Sequence, residues 1–126
     1  MESETLLLRQ IHPSFVQNGR PTSQAFRPTP KDELLLSVED GSRIQPPASW
    51  ERFTASPDRR SAGVMAITVA ECSAEELEVI EDGVPFPEHC SVDFSNLTIS
   101  SVGKKAKILT RQAVNRDWLF RDFQQV

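Results

Sequence analysis

Residues 63–70, with the sequence GVMAITVA, form the stretch that decides the fold class of this chain. They are almost continuously apolar and rich in β-branched side chains. A run of this kind is typical of a central strand that is buried on both faces. The stretch therefore predicts a β-sheet that carries a second layer of structure.

Four further short strands are predicted around this central strand, because short apolar runs alternate with turn signals. The pairs Asn18-Gly19 and Asp40-Gly41 favour turns, since their residues tolerate positive φ. All nine prolines lie before residue 90, so no long helix is expected there. The four predicted strands are residues 5–11, 22–26, 34–38 and 91–94.

The C-terminal quarter of the chain has the clearest helical pattern. Its apolar residues recur at spacings of four, three and four, which predicts an amphipathic helix over residues 101–114. After this helix, residues 118–120 are expected to fold back onto the core or to form a final strand. The residues of the apolar stripe are Val102, Ala106, Leu109 and Ala113.

Two shorter helical segments are also predicted. Residues 46–55 begin with two prolines, which suit the first turn of a helix. Ser73 and Glu76 have the spacing of a capping box, so one helical turn is expected to begin at Ser73.

A length of 126 residues leaves room for one domain. We therefore expect a single α+β domain over residues 1–126, with residues 1–4 disordered. Its predicted architecture is a mixed, mostly antiparallel sheet of about five short strands with the C-terminal helix packed on it.

Several classes of protein are excluded by simple counts. The apolar run at residues 6–8 is far shorter than the ~20 residues of a membrane-spanning helix. The acidic residues 1–4 do not resemble the basic start of a signal peptide, so a cytoplasmic protein is expected. No glycine-rich phosphate-binding loop is present, and no cofactor is predicted.

The net charge of −4 hides an uneven distribution. Residues 1–100 carry 8 basic and 16 acidic side chains, whereas residues 101–126 carry 6 basic and 2 acidic ones. An acidic chain lacks the positive field that nucleic acid requires, so such a partner is not expected. The densest acidic segment predicts a partner-binding surface, although the simpler interpretation is that its carboxylates are solvated or packed near basic segments. The residues of this surface are Glu75, Glu76, Glu78, Glu81 and Asp82.

Candidate chemistry is concentrated in the first thirty residues and near residue 89. His12 and His89 are candidate acid–base residues, because an imidazole titrates near neutral pH, and Ser23 is a third catalytic candidate. Three arginines are candidate ligands of a phosphate or a carboxylate. The simpler alternative is that His12 ends a strand and that the arginines pair with the acidic segment. The three arginines that are candidate ligands of a phosphate or a carboxylate are Arg9, Arg20 and Arg27.

No metal site is predicted, because the two histidines and two cysteines lack the short spacings of a chelate. Cys72 precedes acidic residues, which raise a thiol pKa, and Cys90 is expected to point away from His89. Both cysteines are therefore expected to be reduced and partly buried.

The segments RQIHP (9–13), NGRPTSQAF (18–26), LSV (36–38) and PEH (87–89) resemble a group of small, uncharacterised bacterial proteins. In that group a strand ends in His-Pro and is followed by a Gly-Arg-Pro-Ser/Thr-Ser-x-Ala-Phe segment and a Leu-Ser-Val strand. The resemblance covers about half of the chain and implies a bacterial source without an activity.

A weaker likeness is to the ADP-ribosyltransferase fold. It implies that His12 and Ser23 hold a nicotinamide dinucleotide from the first two strands. The chain departs from this fold because it has no tyrosine and no recognisable catalytic glutamate motif.

These observations favour a small bacterial accessory protein that binds another protein of the same host. Two alternatives remain open. The first is a small-ligand-binding or ADP-ribosyltransferase-like enzyme that uses His12 and Ser23. The second is an acidic protein that neutralises a toxin or mimics nucleic acid.

Overall fold

The computed structural model describes residues 1–122, which form a six-stranded antiparallel sheet with helices packed on both faces. The strand order is β6-β7-β4-β1-β5-β8, and a separate hairpin joins β2 to β3. The strands are β1 (Leu6–Ile11), β2 (Val16–Gln17), β3 (Arg20–Pro21), β4 (Leu35–Asp40), β5 (Gly63–Thr68), β6 (Glu78–Ile80), β7 (His89–Asp93) and β8 (Phe120–Arg121). The helices are α1 (Pro46–Thr54), α2 (Val69–Ala74) and α3 (Ile99–Arg116).

The predicted α+β class, with one sheet and a C-terminal helix packed on it, is confirmed. All six residues of β5 are buried, as its apolar sequence predicts. The strand ends at Thr68, two residues earlier than predicted, because Thr68 caps α2. Its hydroxyl accepts a bond from the amide of Glu71 (3.1 Å), and the Glu71 carboxylate accepts one from the amide of Thr68 (2.8 Å).

The capping box predicted at Ser73 and Glu76 is therefore wrong, since the box lies five residues earlier. Ser73 is inside α2, and Glu76 follows it with a positive φ of 58°. At that point the chain leaves the helix and enters β6, a short edge strand that the sequence did not predict.

The strand predicted over residues 22–26 is also wrong. Asn18 and Gly19 form the predicted turn, with φ values of 53° and 78°. The chain then enters a 3-10 helix, Ser23–Phe26, whose Ala25 and Phe26 are buried. Helical geometry lets the adjacent residues Ala25 and Phe26 both reach the core beneath α3. A pleated strand would instead point one of the two toward solvent.

The remaining boundaries shift by a few residues. β4 extends to Asp40 and β7 begins at His89, so His89 lies on a strand and not in the loop before it. The final segment pairs with β5 as β8, with Val64 opposite Phe120. Before β1, the carbonyl of Ser3 accepts a bond from the amide of Ala70 (2.8 Å).

The two faces of the sheet carry separate apolar clusters. The larger cluster lies beneath α3 and includes Phe26, Ile67 and Leu109. The smaller cluster lies beneath α1 and is centred on Leu8, with Trp50 packed against it. The larger cluster anchors the fold, and the smaller one leaves part of its face of the sheet open to the groove described below.

The C-terminal end of α3 is tied to the centre of the sheet by one side chain. Arg116 donates to both carboxylate oxygens of Glu71 (3.1 and 2.9 Å) and to the backbone carbonyl of Ala66 on β5 (2.9 Å). In the part of the chain that the structure describes, no helix is long and apolar enough to cross a membrane.

We expect Leu109→Ala to lower the free energy of unfolding by about 2–5 kcal/mol, because Leu109 is fully buried and its loss leaves a cavity. Urea denaturation measures the change. Lys107→Ala, on the exposed face of the same helix, is the control and is expected to change stability by about 0.5 kcal/mol or less. Equal effects of the two variants would contradict the packing of α3 on the sheet.

Candidate functional site

A groove of about 650 Å³ lies over β1, β4 and β7 on the face of the sheet that α1 covers only in part. Residues of these three strands form its floor, α1 and residues 56–60 form one wall, and Pro85 and Phe86 form another. Of the residues predicted from sequence, Arg9, His12 and His89 all line this groove.

Arg9 occupies the point where the ladder between β1 and β4 ends. That ladder has only two residue pairs, Leu7 with Asp40 and Leu8 with Glu39. Beyond them the Arg9 side chain joins the strands, because its Nη1 donates to the carbonyl of Ser37 on β4 (3.0 Å) and its Nε to the carbonyl of Ala25 (3.0 Å). A side chain thus replaces the missing backbone hydrogen bonds.

The charge of Arg9 is poorly compensated. Desolvation by burial lowers its pKa to about 10, although the charge of Asp32 opposes the shift. Within residues 1–122 no carboxylate forms a salt bridge with Arg9, so its hydrogen-bond partners are carbonyl dipoles. A partly buried cation that forms no salt bridge favours the binding of an anion beside it.

His12 lies at one end of the groove in a defined tautomer. Its Nδ1 accepts a hydrogen bond from the amide of Ser14 (3.0 Å), and the Ser14 hydroxyl lies 2.8 Å from the same nitrogen. Because Nδ1 is an acceptor, the neutral ring carries its proton on Nε2. His12 therefore presents a hydrogen-bond donor.

His89 has the opposite tautomer. Its Nδ1 lies 2.6 Å from Oδ1 of Asp82, and Oδ2 of Asp82 accepts a bond from the hydroxyl of Ser91 (2.7 Å). Partial desolvation raises the pKa of Asp82, but the bonds from His89 and Ser91 outweigh it and the net shift is downward. The ionised carboxylate accepts a hydrogen bond from Nδ1–H, so the neutral ring of His89 presents the lone pair of Nε2.

The two histidines stand at opposite ends of the groove. His89 pairs with Glu39, which pairs with Leu8, and His12 lies four residues beyond Leu8. The two residues are thus separated by two strand spacings across the sheet and by four residues along a strand, which places their Cα atoms roughly 15 Å apart. They line one cavity, as a shared site requires, but they do not act together on one atom.

A network of partly buried polar groups holds the walls of the groove to its floor. Arg52 of α1 forms salt bridges with Glu39 of β4 and Glu88, and its guanidinium lies 3.8 Å from the centre of the Phe86 ring. Ser49 donates to Glu39 and accepts from the side chain of Gln10 (2.8 Å). The helix, the floor and the loop before β7 are thereby fixed relative to one another.

The other predicted ligand-binding and catalytic residues lie elsewhere. Ser23 is in the 3-10 helix beneath α3, and Arg27 lies near Gly103 of α3. Arg20 lines a separate cavity of about 380 Å³ beside Trp118. The groove therefore brings together three of the six predicted residues.

Several residues of the groove were missed by the sequence analysis. Arg52 and Phe53 lie on the predicted helix α1, but the sequence does not indicate which face of the sheet that helix covers. The adjacent cations Arg59 and Arg60, which also line the groove, were a signal available in the sequence. Phe86 lies between two prolines, which gives no indication that its ring lines a groove.

The predicted acidic surface divides into two parts. Glu76, Glu78, Glu81 and Asp82 are all exposed, but the carboxylate of Asp82 is also bonded to the side chains of His89 and Ser91. The backbone carbonyl of Glu75 accepts a bond from the ammonium group of Lys105.

Both cysteines are free thiols and are fully buried, not partly buried as predicted. Burial raises the pKa of Cys72 to about 12 and that of Cys90 to about 11, with nearby carboxylates adding to each shift. Among the described residues, no three His, Cys, Asp or Glu side chains are grouped so as to hold a metal ion.

We expect Ser49→Ala to lower the free energy of unfolding by about 1–3 kcal/mol, because Gln10 and Glu39 each lose a hydrogen-bond partner at a buried position. Thermal or urea denaturation measures the loss. The control is Ser95→Ala, an exposed serine outside this network, which should leave stability nearly unchanged. Retention of wild-type stability by Ser49→Ala would contradict the network.

Comparison of the chain with protein-family models, with curated proteins and with solved structures found no match. The resemblances to small bacterial proteins and to the ADP-ribosyltransferase fold stay predictions. A function is therefore inferred from the chemistry of the groove.

Proposed function

We propose that this protein binds a small organic anion in the groove over β1, β4 and β7. The observation that carries the proposal is Arg9, a partly buried guanidinium that lines the groove and has only carbonyl groups as hydrogen-bond partners. Asp32 influences the pKa of Arg9 but forms no salt bridge with it, so a bound anion supplies the direct ionic partner that no described carboxylate provides there.

The overall charge of the groove supports this choice of ligand. Among its described lining residues there are four arginines and two carboxylates, in a chain whose net charge is −4. Both carboxylates are already engaged, Glu39 by Ser49 and Arg52 and Asp58 by Ser56. Arg52 is itself paired with Glu39 and Glu88, but the arginines of the groove still outnumber its carboxylates, so the groove is a local positive region that attracts anions to an otherwise acidic protein.

Its size and apolar surface indicate what else the ligand contains. A volume of about 650 Å³ suits a small molecule. Phe15, Phe53 and Phe86 line the groove, and Arg59 lies over the Phe53 ring at 5.6 Å. A carboxylate or similar anion attached to an apolar or aromatic group matches this combination of guanidinium and rings.

We expect 3-phenylpropionate to bind in the groove and its neutral amide, 3-phenylpropionamide, to bind about tenfold more weakly, because only the carboxylate compensates Arg9. Titration followed by amide chemical shifts measures both affinities and locates the site. Arg9→Met is expected to abolish the preference for the carboxylate.

The matched control is Arg27→Met, which removes an arginine on the α3 side of the sheet and should leave binding unchanged. Arg9→Lys separates folding from charge, since it keeps a cation while losing the fork-shaped guanidinium. Equal binding of acid and amide by the wild type, or equal losses in Arg9→Met and Arg27→Met, would refute the proposal.

A second candidate function is recognition of a basic protein partner of the same bacterial host cytoplasm. It is supported by the position of Glu78 on β6, an edge strand of the sheet, with Glu81 exposed beside it. An edge strand offers unpaired backbone groups, and neighbouring carboxylates select a positively charged partner.

We expect native mass spectrometry of the protein isolated from its host to show a stoichiometric complex, because charge complementarity would hold a partner at this edge. The double variant Glu78→Lys/Glu81→Lys should lose that complex, whereas Arg27→Met should keep it. A monomeric mass for the wild type under conditions that preserve complexes speaks against this second function.

A further inference from the structure

We propose that His89, positioned by Asp82, is a general base that hydrolyses carboxylic esters bound in the groove through an anionic group at Arg9. The inference rests on the proposed binding of an organic anion and adds a reaction to it. His89 is assigned as the catalytic residue and Asp82 as a positioning residue.

The hydrogen bonds around His89 define a base that is ready to act. Asp82 holds Nδ1 at 2.6 Å and is itself fixed by the hydroxyl of Ser91 at 2.7 Å. Among residues 1–122 no hydrogen-bond donor occupies Nε2, and the imidazole lines the groove. A carboxylate that fixes the tautomer of a histidine and leaves its other nitrogen free is the arrangement that general-base catalysis requires.

The register of the sheet places this base within reach of a ligand held by Arg9. Arg9 is bonded to the carbonyl of Ser37, and Ser37 pairs with Ser91 on β7. His89 is two residues from Ser91, so it is the diagonal neighbour of Ser37, at about 7–8 Å between backbones. A ligand whose anionic group is bound to Arg9 would thus reach the imidazole of His89 with a chain of a few atoms.

The charges at the His89 end favour a neutral reacting centre. Asp82 contacts the ring, Glu39 is its cross-strand neighbour, and Glu88 precedes it in the chain. Transfer of a phosphoryl group requires cations around the reacting phosphorus. The nearby Arg52 is already bound to Glu39 and Glu88, and Arg43 forms a salt bridge with Asp40. The acyl carbon of an ester carries no charge and suits this environment.

The proposed step uses water as the nucleophile. Nε2 of His89 takes a proton from water while the water oxygen forms a bond to the acyl carbon and the carbonyl π electrons move to oxygen. The carbonyl then re-forms, the bond from carbon to the ester oxygen breaks, and the departing alcohol receives the proton from the imidazolium. One ester and one water give one acid and one alcohol, and His89 returns to its neutral form.

The test uses 4-nitrophenyl hemiglutarate, an ester with a carboxylate at one end, and 4-nitrophenyl butyrate, a neutral ester of similar length. We expect the full-length wild type to hydrolyse the hemiglutarate with a higher kcat/KM than the butyrate. His89→Gln should lower kcat by about 10²–10⁴-fold with little change in KM. Asp82→Asn should lower kcat by about tenfold or more, and the imidazole 15N shifts should report a changed tautomer.

Glu51→Gln is the control for Asp82→Asn, because it neutralises an exposed carboxylate of α1 that does not line the groove and should leave kcat unchanged. Binding of 3-phenylpropionate is measured on every variant, so that loss of the base is separated from loss of the site. Wild-type protein that binds 3-phenylpropionate but does not hydrolyse the hemiglutarate above the buffer rate would overturn this inference and leave the binding function standing. Unchanged kcat in His89→Gln would also overturn it.

Discussion

The contact of Arg9 with the carbonyl of Ser37 is the interaction on which the groove depends. The ladder between β1 and β4 stops after two residue pairs, and without a substitute the carbonyl at Ser37 would face a gap in the sheet. A guanidinium fills that gap because it carries several donors on a long side chain. The guanidinium that bonds to Ser37 also places a positive charge at the floor of an open cavity. The need to satisfy a backbone carbonyl in the sheet thus creates the charge on which the proposed anion binding rests.

The walls of the groove depend on a different use of arginine. Arg52 is compensated by Glu39 and Glu88 and stacked on Phe86, so its charge serves to join α1 to the sheet and to the loop before β7. Arg9 and Arg52 have the same side chain and lie in one cavity, yet of the two only Arg9 forms no salt bridge with a carboxylate. Because of this difference in pairing, Arg9 is the arginine that contacts a ligand and Arg52 is the one that holds the walls of the groove in place.

Much of the fold could be predicted from the sequence because its strongest signals are local. The apolar run of β5, the stripe of α3 and the Asn18-Gly19 turn depend on neighbours in the chain, and all three are found where the sequence places them. The errors concern segments in which two local signals compete. Thr68 is compatible both with a strand and with a helix cap, and the burial of Phe26 outweighs the extended tendency of the residues before Pro28.

The site was only partly predictable, because its members are far apart in the chain. Arg9, His12 and His89 were identified by residue type, but nothing in their spacing shows that β4 lies between β1 and β7. Ser23 was grouped with His12 because it is close in sequence, and the 3-10 helix carries it beneath α3. Strand order is set by long-range packing, so residues on non-adjacent segments were assigned to one site only once the sheet was known.

The hydrogen bond from Arg116 to the carbonyl of Ala66 affects the tendency of the protein to aggregate. β5 is the most apolar strand, and β8 covers its outer edge only at Gly63 and Val64. The carbonyl of Ala66 lies beyond that cover, where an exposed strand edge is a template for pairing with another molecule. Arg116 occupies that acceptor with a charged side chain, so the end of α3 protects the sheet against edge-to-edge aggregation.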